Sequence, residues 1–177
     1  MMAREMRLGQ LAGLTFSAEP SALITSLVLW ALLGTLAATL LPLSLPEAIV
    51  GSFLAMLLHW LSETLHQLGH ARAARLTGHP MIGVRFWGPF GASIYPADEG
   101  TLPAAVHIRR ALGGPPVSLL LSIIGLLLTL VLRPFGGLPF WLSLFFLLEN
   151  FFVFTLGSFL PLGFTDGSTL LYWWNKQ

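Results

Sequence analysis

Residues 47–78 read EAIVGSFLAMLLHWLSETLHQLGHARAARLTG, and this stretch decides the fold. It is long enough to cross a bilayer, whose hydrocarbon core of about 30 Å needs about 20 helical residues. Five polar side chains are spaced so that they share one face of an α-helix; they are His59, Glu63, His66, Gln67 and His70. An ionisable group inside a membrane costs about 2.5–3.5 kcal/mol on insertion scales. The pattern therefore predicts a membrane-spanning helix whose polar face is turned toward the interior of a helical bundle.

The composition of the whole chain is also that of a membrane protein. Of its 177 residues, 55% are hydrophobic and only 10% are charged, and the mean hydropathy is +0.77. Soluble domains carry about 25% charged residues, so this chain needs the lipid bilayer as part of its solvent. Three further stretches are long enough to span, at residues 21–42, 111–132 and 138–160. The sequence has no run of basic residues with interleaved aromatic residues, so it gives no indication of nucleic-acid binding.

Two shorter segments complete the predicted fold. Between the second and third spans, Ile82, Val84 and Phe86 alternate with other residues, and a Gly88–Gly91 turn follows, which predicts a β-hairpin. Residues 168–174 are aromatic and apolar but too short to span, which favours the membrane interface. The predicted fold class is an all-α polytopic membrane protein with about four transmembrane helices, a small membrane-associated β-hairpin and a short C-terminal interfacial helix. We expect a single domain over residues 1–177.

The basic residues predict the orientation in the membrane. If the N-terminus is cytoplasmic, that side carries eight of the nine Lys and Arg residues, and the opposite side carries only Arg133. Short cytoplasmic loops are enriched in Lys and Arg. We therefore expect a multi-pass protein with both termini in the cytoplasm, in the plasma membrane of a prokaryote.

The second span carries a candidate metal site. His66 and His70 are four residues apart, so their imidazoles lie over adjacent helical turns and can share one ion. The chain has no cysteine, which restricts the ligands of any metal to nitrogen and oxygen. Asp166 follows the fourth span and is expected at the same cytoplasmic depth as the two histidines. We therefore predict a Zn²⁺ site made of His66, His70 and Asp166. The alternative role of Asp166 is that of a turn or helix-cap aspartate.

Three segments carry a family resemblance. The stretch His66–Ala71 (HQLGHA) is followed by small and basic residues at 73–78, Gly114-Pro115 opens the third span, and Pro161 precedes Asp166-Gly167. In this order they resemble the signatures of the site-2 protease family, intramembrane zinc metalloproteases that cut transmembrane substrates. The resemblance covers roughly residues 47–170. It implies that the hairpin after the histidine helix offers an edge that can pair with an extended substrate.

Three positions depart from the family pattern. Gln67 stands where the family has its glutamate general base, and Ser118 and Ser158 stand where it has asparagines thought to hold the substrate backbone. A glutamine cannot take a proton from water, so acid–base assistance of about 10²–10⁴-fold should be lost. Three explanations remain: a natural zinc-binding pseudoprotease, an active relative with another base, or a trap introduced into an active enzyme. The two serines argue against the trap, which would need only one change.

Other polar residues of the spans have predicted supporting roles. Glu63 lies one turn before His66 and is either a substitute base or a hydrogen-bond acceptor that fixes a histidine tautomer; we favour the acceptor role. Glu149 and Asn150 interrupt the fourth span, and we expect them to hydrogen-bond the polar face of the second span near His59.

The combined prediction is a site-2-protease-like intramembrane zinc metallopeptidase whose activity is low or absent, with a transmembrane protein or peptide as its substrate or client. The rival prediction is a non-catalytic zinc-binding pseudoprotease that binds membrane proteins, or a structural membrane subunit. A transporter or proton channel that uses His59, Glu63 and Glu149 fits poorly because the chain has no inverted repeat.

Overall fold

The structure, a computed structural model, describes residues 5–176. In this part of the chain, four helical segments are long and apolar enough to cross a membrane. They are Pro20–Leu40, Leu45–Leu76, Ala104–Leu132 and Gly137–Phe159. The prediction of a mostly helical protein with four such segments is confirmed, and each predicted span overlaps one of them.

The first two spans are each a single uninterrupted helix. Helix α1 is Pro20–Leu40 and packs along helix α2, which is Leu45–Leu76. Glu47 opens α2 by accepting a hydrogen bond from the Ser44 backbone N–H at 2.8 Å, one half of a capping box. The 32 residues of α2 measure about 48 Å at 1.5 Å per residue, which exceeds the hydrocarbon core. The polar face of α2 is buried in the bundle, as the spacing of its polar residues predicted.

The third and fourth spans are each interrupted. Helix α3, Ala104–Ala111, leads directly into α4, Gly114–Leu132, with only residues 112 and 113 between them. The fourth span starts as α5, Gly137–Leu148, and continues as a π-helical segment, Glu149–Leu156, and a 3₁₀ turn, Gly157–Phe159. Helix α6, Asp166–Trp174, then packs on α3. Short π-helical insertions are rare and occur mostly at functional sites.

The sheet is larger than the predicted hairpin. Its strands are β1 Met6–Leu11, β2 Leu14–Ala18, β3 Gly83–Trp87 and β4 Phe90–Ile94, in the order β1-β2-β3-β4. Pairing is antiparallel for β1 with β2 and for β3 with β4, and parallel for β2 with β3. The two N-terminal strands were not predicted, although β1 and β2 form a local hairpin and Leu14, Phe16 and Ala18 alternate with polar residues. Only the parallel pairing of β2 with β3 joins residues far apart in sequence.

The sheet covers the last turns of α2. Leu14 and Val84 are completely enclosed, and they pack with Phe16, Ala71 and Ala74 in one apolar cluster. This packing leaves β4 as one of the two edge strands of the sheet, beside the polar face of α2. The fold thus brings three elements together at one end of α2: the edge strand, the start of α4 and the start of α6.

Candidate metal centre

The three predicted metal ligands lie together. The Nε2 atoms of His66 and His70 are 2.9 Å apart. The carboxylate of Asp166 is 3.4 Å from each of them, through Oδ2 to His66 and Oδ1 to His70. Both imidazoles are about 95% buried. Helical periodicity positions the two histidines, and the loop after Phe159 brings Asp166 back to them at the first turn of α6.

This set of donor atoms fits a zinc ion. His70 Nδ1 lies 2.8 Å from the Arg110 carbonyl, so neutral His70 donates there and keeps a lone pair on Nε2. Ligands about 2.0–2.1 Å from a tetrahedral zinc ion lie about 3.3 Å from one another, close to the separations found. Buried lone pairs and a carboxylate that converge in this way repel one another unless a cation is shared. Zinc sites also typically fix each histidine through its other nitrogen, as Arg110 does here.

Ser118 holds the second histidine in the same way. Its Oγ is 2.8 Å from His66 Nδ1, and the residue is fully buried. The substrate-binding role of Ser118 stays a prediction, and in the structure its Oγ contacts the imidazole nitrogen that faces away from the other candidate ligands. Ser158 lines the cavity in front of the ligands, although its Oγ donates to the Thr155 carbonyl at 2.9 Å.

Close steric contacts explain why two positions of the sequence motifs are occupied by glycine. A Cβ atom at Gly114 would overlap the Nε2 atoms of both His66 and His70, so the start of α4 can lie against the ligands only without a side chain. A Cβ atom at Gly167 would overlap the carbonyl of Phe159, so α6 can begin beside the end of the fourth span only with glycine there. These close approaches explain the Gly-Pro and Asp-Gly segments of the sequence.

Replacement of Gly114 by alanine is therefore expected to lower zinc affinity by at least tenfold, because the new methyl group must displace two ligands. Zinc titration of the purified variant against a competing chelator measures the effect. Gly100→Ala is the matched control, since a Cβ atom there meets no other atom within 4 Å. Unchanged zinc affinity in Gly114→Ala would contradict the geometry described here.

Gln67, which the sequence resemblance assigns to the general-base position, is hydrogen-bonded to the edge strand. Its Nε2 donates to Glu63 Oε1 and to the Gly91 carbonyl, each at 3.0 Å, and its Oε1 accepts from Ser93 Oγ at 2.9 Å. Glu63 Oε1 also accepts the Gly91 N–H at 2.8 Å. The Glu63 and Gln67 side chains therefore occupy both backbone polar groups of Gly91. Every polar atom of the Gln67 carboxamide is engaged in joining α2 to β4.

The deeper polar residues connect the second and fourth spans. His59 Nδ1 is 2.7 Å from Glu149 Oε1, and His59 Nε2 is 2.9 Å from the Pro89 carbonyl in the hairpin turn. Asn150 Nδ2 donates to Ser62 Oγ at 2.9 Å. The π-helical segment begins at Glu149, so both polar groups of the fourth span turn toward α2 at this point.

Sequence reasoning missed one residue near the metal centre. The sequence predicts no site role for Arg110, but the residue is 4% exposed. Its guanidinium donates to Glu99 Oε2 at 2.9 Å and to the His79 carbonyl at 2.7 Å, and it lies 4.0 Å over the Tyr95 ring. This hydrogen-bonded guanidinium holds the pKa of Glu99 below its ordinary value. No local pattern signals the arrangement, because its partners come from a loop and from the end of α2.

No protein-family model and no curated protein matches the chain. Among solved structures, the chain is similar to the Site-2 Protease from Methanocaldococcus jannaschii, with a TM-score of 0.65 and 19% sequence identity. The match covers 95% of this chain and 70% of that one. The chain has the fold of a site-2 protease. With its four long apolar helices, it is an integral membrane protein.

Within this site-2 protease fold, two cavities meet at the candidate metal centre. An apolar cavity of about 180 Å³ is lined by Phe90, Val153, Phe154, Leu160 and Phe164, together with the metal-centre side chains. A more polar chamber of about 570 Å³ lies between β4, α3 and α6. Gln67, His70 and Asp166 line both cavities. The candidate ligands therefore lie between a mainly apolar cavity and a more polar one.

Proposed function

We propose that the protein is a zinc-binding membrane metallopeptidase of the site-2 protease type, whose hydrolysis of membrane-spanning substrates is low or absent. The observation that carries the proposal is the convergence of His66 Nε2, His70 Nε2 and the Asp166 carboxylate within 4.8 Å of one another. These ligands come from two elements almost 100 residues apart in sequence. The similarity of fold to a solved site-2 protease supports the same assignment.

The residues around the ligands have defined parts in this proposal. When bound, zinc would supply a Lewis acid that polarises a peptide carbonyl and acidifies water. Ser118 and the Arg110 carbonyl keep the two imidazoles oriented. Apolar side chains beside the ligands, such as Val153 and Phe164, favour a transmembrane segment as substrate or client. The cytoplasmic position of both termini and a prokaryotic plasma membrane remain part of the proposal, on the strength of the Lys and Arg distribution.

Gln67 is the reason to expect impaired hydrolysis. An amide does not accept a proton at neutral pH, and this amide already uses its polar atoms on Glu63, Gly91 and Ser93. Glu63 lines the same cavity as the ligands and is the best substitute base. However, its Oε1 already accepts two hydrogen bonds, which fits a structural role better.

The rival function is a pseudoprotease that captures membrane proteins without cutting them. Residues of the edge strand β4 line both cavities, where an extended client segment could lie along the strand. Because the two functions share the site, they differ in turnover and in whether binding depends on the metal.

Photo-crosslinkable transmembrane peptides, incubated with the zinc-loaded protein and with His66→Ala, test the proposal. We expect zinc-dependent recovery of the peptide, with slow cleavage that a chelator and His66→Ala both abolish. Capture of intact peptide that His66→Ala leaves unchanged would instead support the rival function. Rapid cleavage by the wild-type protein that chelation abolishes would contradict the expected impairment.

A further inference from the structure

A third cavity lies on the opposite face of α2 from the metal ligands. It measures about 460 Å³ and lies where the β1–β2 hairpin meets the end of α2. It is lined by Ala12, Leu14, Leu68, Ala71, Arg72, Arg75 and Leu76. None of these residues lines either cavity at the metal centre. A role for this cavity therefore does not depend on the proposed function.

We propose that this cavity binds the headgroup of an anionic phospholipid. Its lining is aliphatic apart from two arginines, and no carboxylate lines it among the described residues. A guanidinium presents a planar set of donors that matches phosphate oxygens in pairs. Arg75 is held in place by a hydrogen bond from Nη2 to the Ala12 carbonyl at the β1–β2 turn. Arg72 is exposed and can close on the same ligand from one turn earlier.

The depth of the site matches that of lipid phosphates. If α2 enters the hydrocarbon core near Ala48, Arg72 and Arg75 lie about 36 and 40 Å along the helix at 1.5 Å per residue. A hydrocarbon core of about 30 Å with headgroup layers of about 5–7 Å then places the backbone of Arg72 at the outer edge of the headgroup layer and that of Arg75 a few ångströms beyond it. Side chains of a helix lean toward its N-terminus, so both guanidinium groups can reach back to the level of the lipid phosphates.

The side chains around the cavity suit an acyl chain. Leu68 also lines the cavity, and by the same measure it lies about 30 Å along α2, at the edge of the hydrocarbon core. An aliphatic surface at the edge of the core beside two cations matches a ligand with a charged phosphate and an apolar tail. Free phosphate has no apolar tail and an acidic peptide has no phosphate group, so the proposed ligand is a phospholipid.

Lipid titration of the purified, delipidated protein, read by native mass spectrometry, tests this site. The probes are phosphatidylglycerol, phosphatidylcholine and inorganic phosphate. We expect phosphatidylglycerol to bind at least tenfold more tightly than phosphatidylcholine. The variant Arg72→Gln/Arg75→Gln should remove that preference, and Arg72→Lys/Arg75→Lys should keep part of it, which separates loss of charge from misfolding.

Arg109→Gln is the matched control, since Arg109 is an exposed arginine of α3 that does not line the cavity. Wild-type affinity for phosphatidylglycerol in this control supports the proposal. Equal binding of the two lipids, an equal loss in Arg109→Gln, or full displacement of phosphatidylglycerol by inorganic phosphate at matched concentration would overturn it.

Discussion

Asp166→Ala is expected to purify with less than a tenth of the zinc found in the wild-type protein after both are dialysed against the same zinc buffer. The substitution leaves two imidazoles, whereas a catalytic zinc site uses three protein ligands. Loss of an outer-shell partner alone weakens metal binding by about 10–100-fold, so loss of a ligand should cost at least 100-fold in affinity. Elemental analysis of the purified protein measures zinc per chain.

Two further variants make this measurement specific. Asp98→Ala removes an exposed carboxylate that is not part of the metal centre, and it should keep the full zinc content. Asp166→Asn keeps the shape and one oxygen donor without the charge, so it should fall between the wild type and Asp166→Ala. Full zinc occupancy in Asp166→Ala would mean that the carboxylate is a helix-cap residue, and the zinc assignment would fail.

Gln67→Glu is expected to raise the rate of peptide hydrolysis by about 10²–10⁴-fold, because it restores a proton acceptor beside the metal ligands. The same substitution should also lower the thermal stability of the protein. The new carboxylate would lie about 3 Å from Glu63 Oε1 and from the Gly91 carbonyl, and both would lose an N–H donor. We therefore expect Gln67→Glu to cleave faster and to unfold at a lower temperature. Cleavage of a fluorogenic transmembrane peptide and thermal unfolding in detergent measure the two effects.

Exchange of the side chains at positions 63 and 67 separates the faster hydrolysis from the loss of thermal stability. In Glu63→Gln/Gln67→Glu, the amide at position 63 can donate to the carboxylate at 67 and still accept the Gly91 N–H. We expect this variant to keep the faster hydrolysis and to recover part of the lost thermal stability. Gln67→Ala is the control that loses the same strand contacts without adding a base, and it should not cleave faster. A Gln67→Glu variant no faster than Gln67→Ala would show that a missing base is not the limit.

The sequence is sufficient to predict those parts of the site that depend on a single helix or on depth in the membrane. The approach of His66 to His70 follows from 3.6 residues per turn, whatever the rest of the fold does. Asp166 could be expected nearby because spans that alternate in direction bring the end of the fourth span to the same side as the histidines. The parallel pairing of β2 with β3 lay beyond such reasoning, since it joins residues more than 60 apart, Thr15 with Gly83.

Hydropathy and helical period alone therefore specify an integral membrane protein with a polar face on its second span and a histidine pair at one end of it. They do not specify which groups satisfy that face. Ser118 behind His66, the edge strand bonded to Gln67 and the buried guanidinium of Arg110 all depend on elements that meet only when the chain is packed. The physical reason is that a buried hydrogen-bonding group needs a partner, but its chemistry does not say from which part of the chain the partner comes.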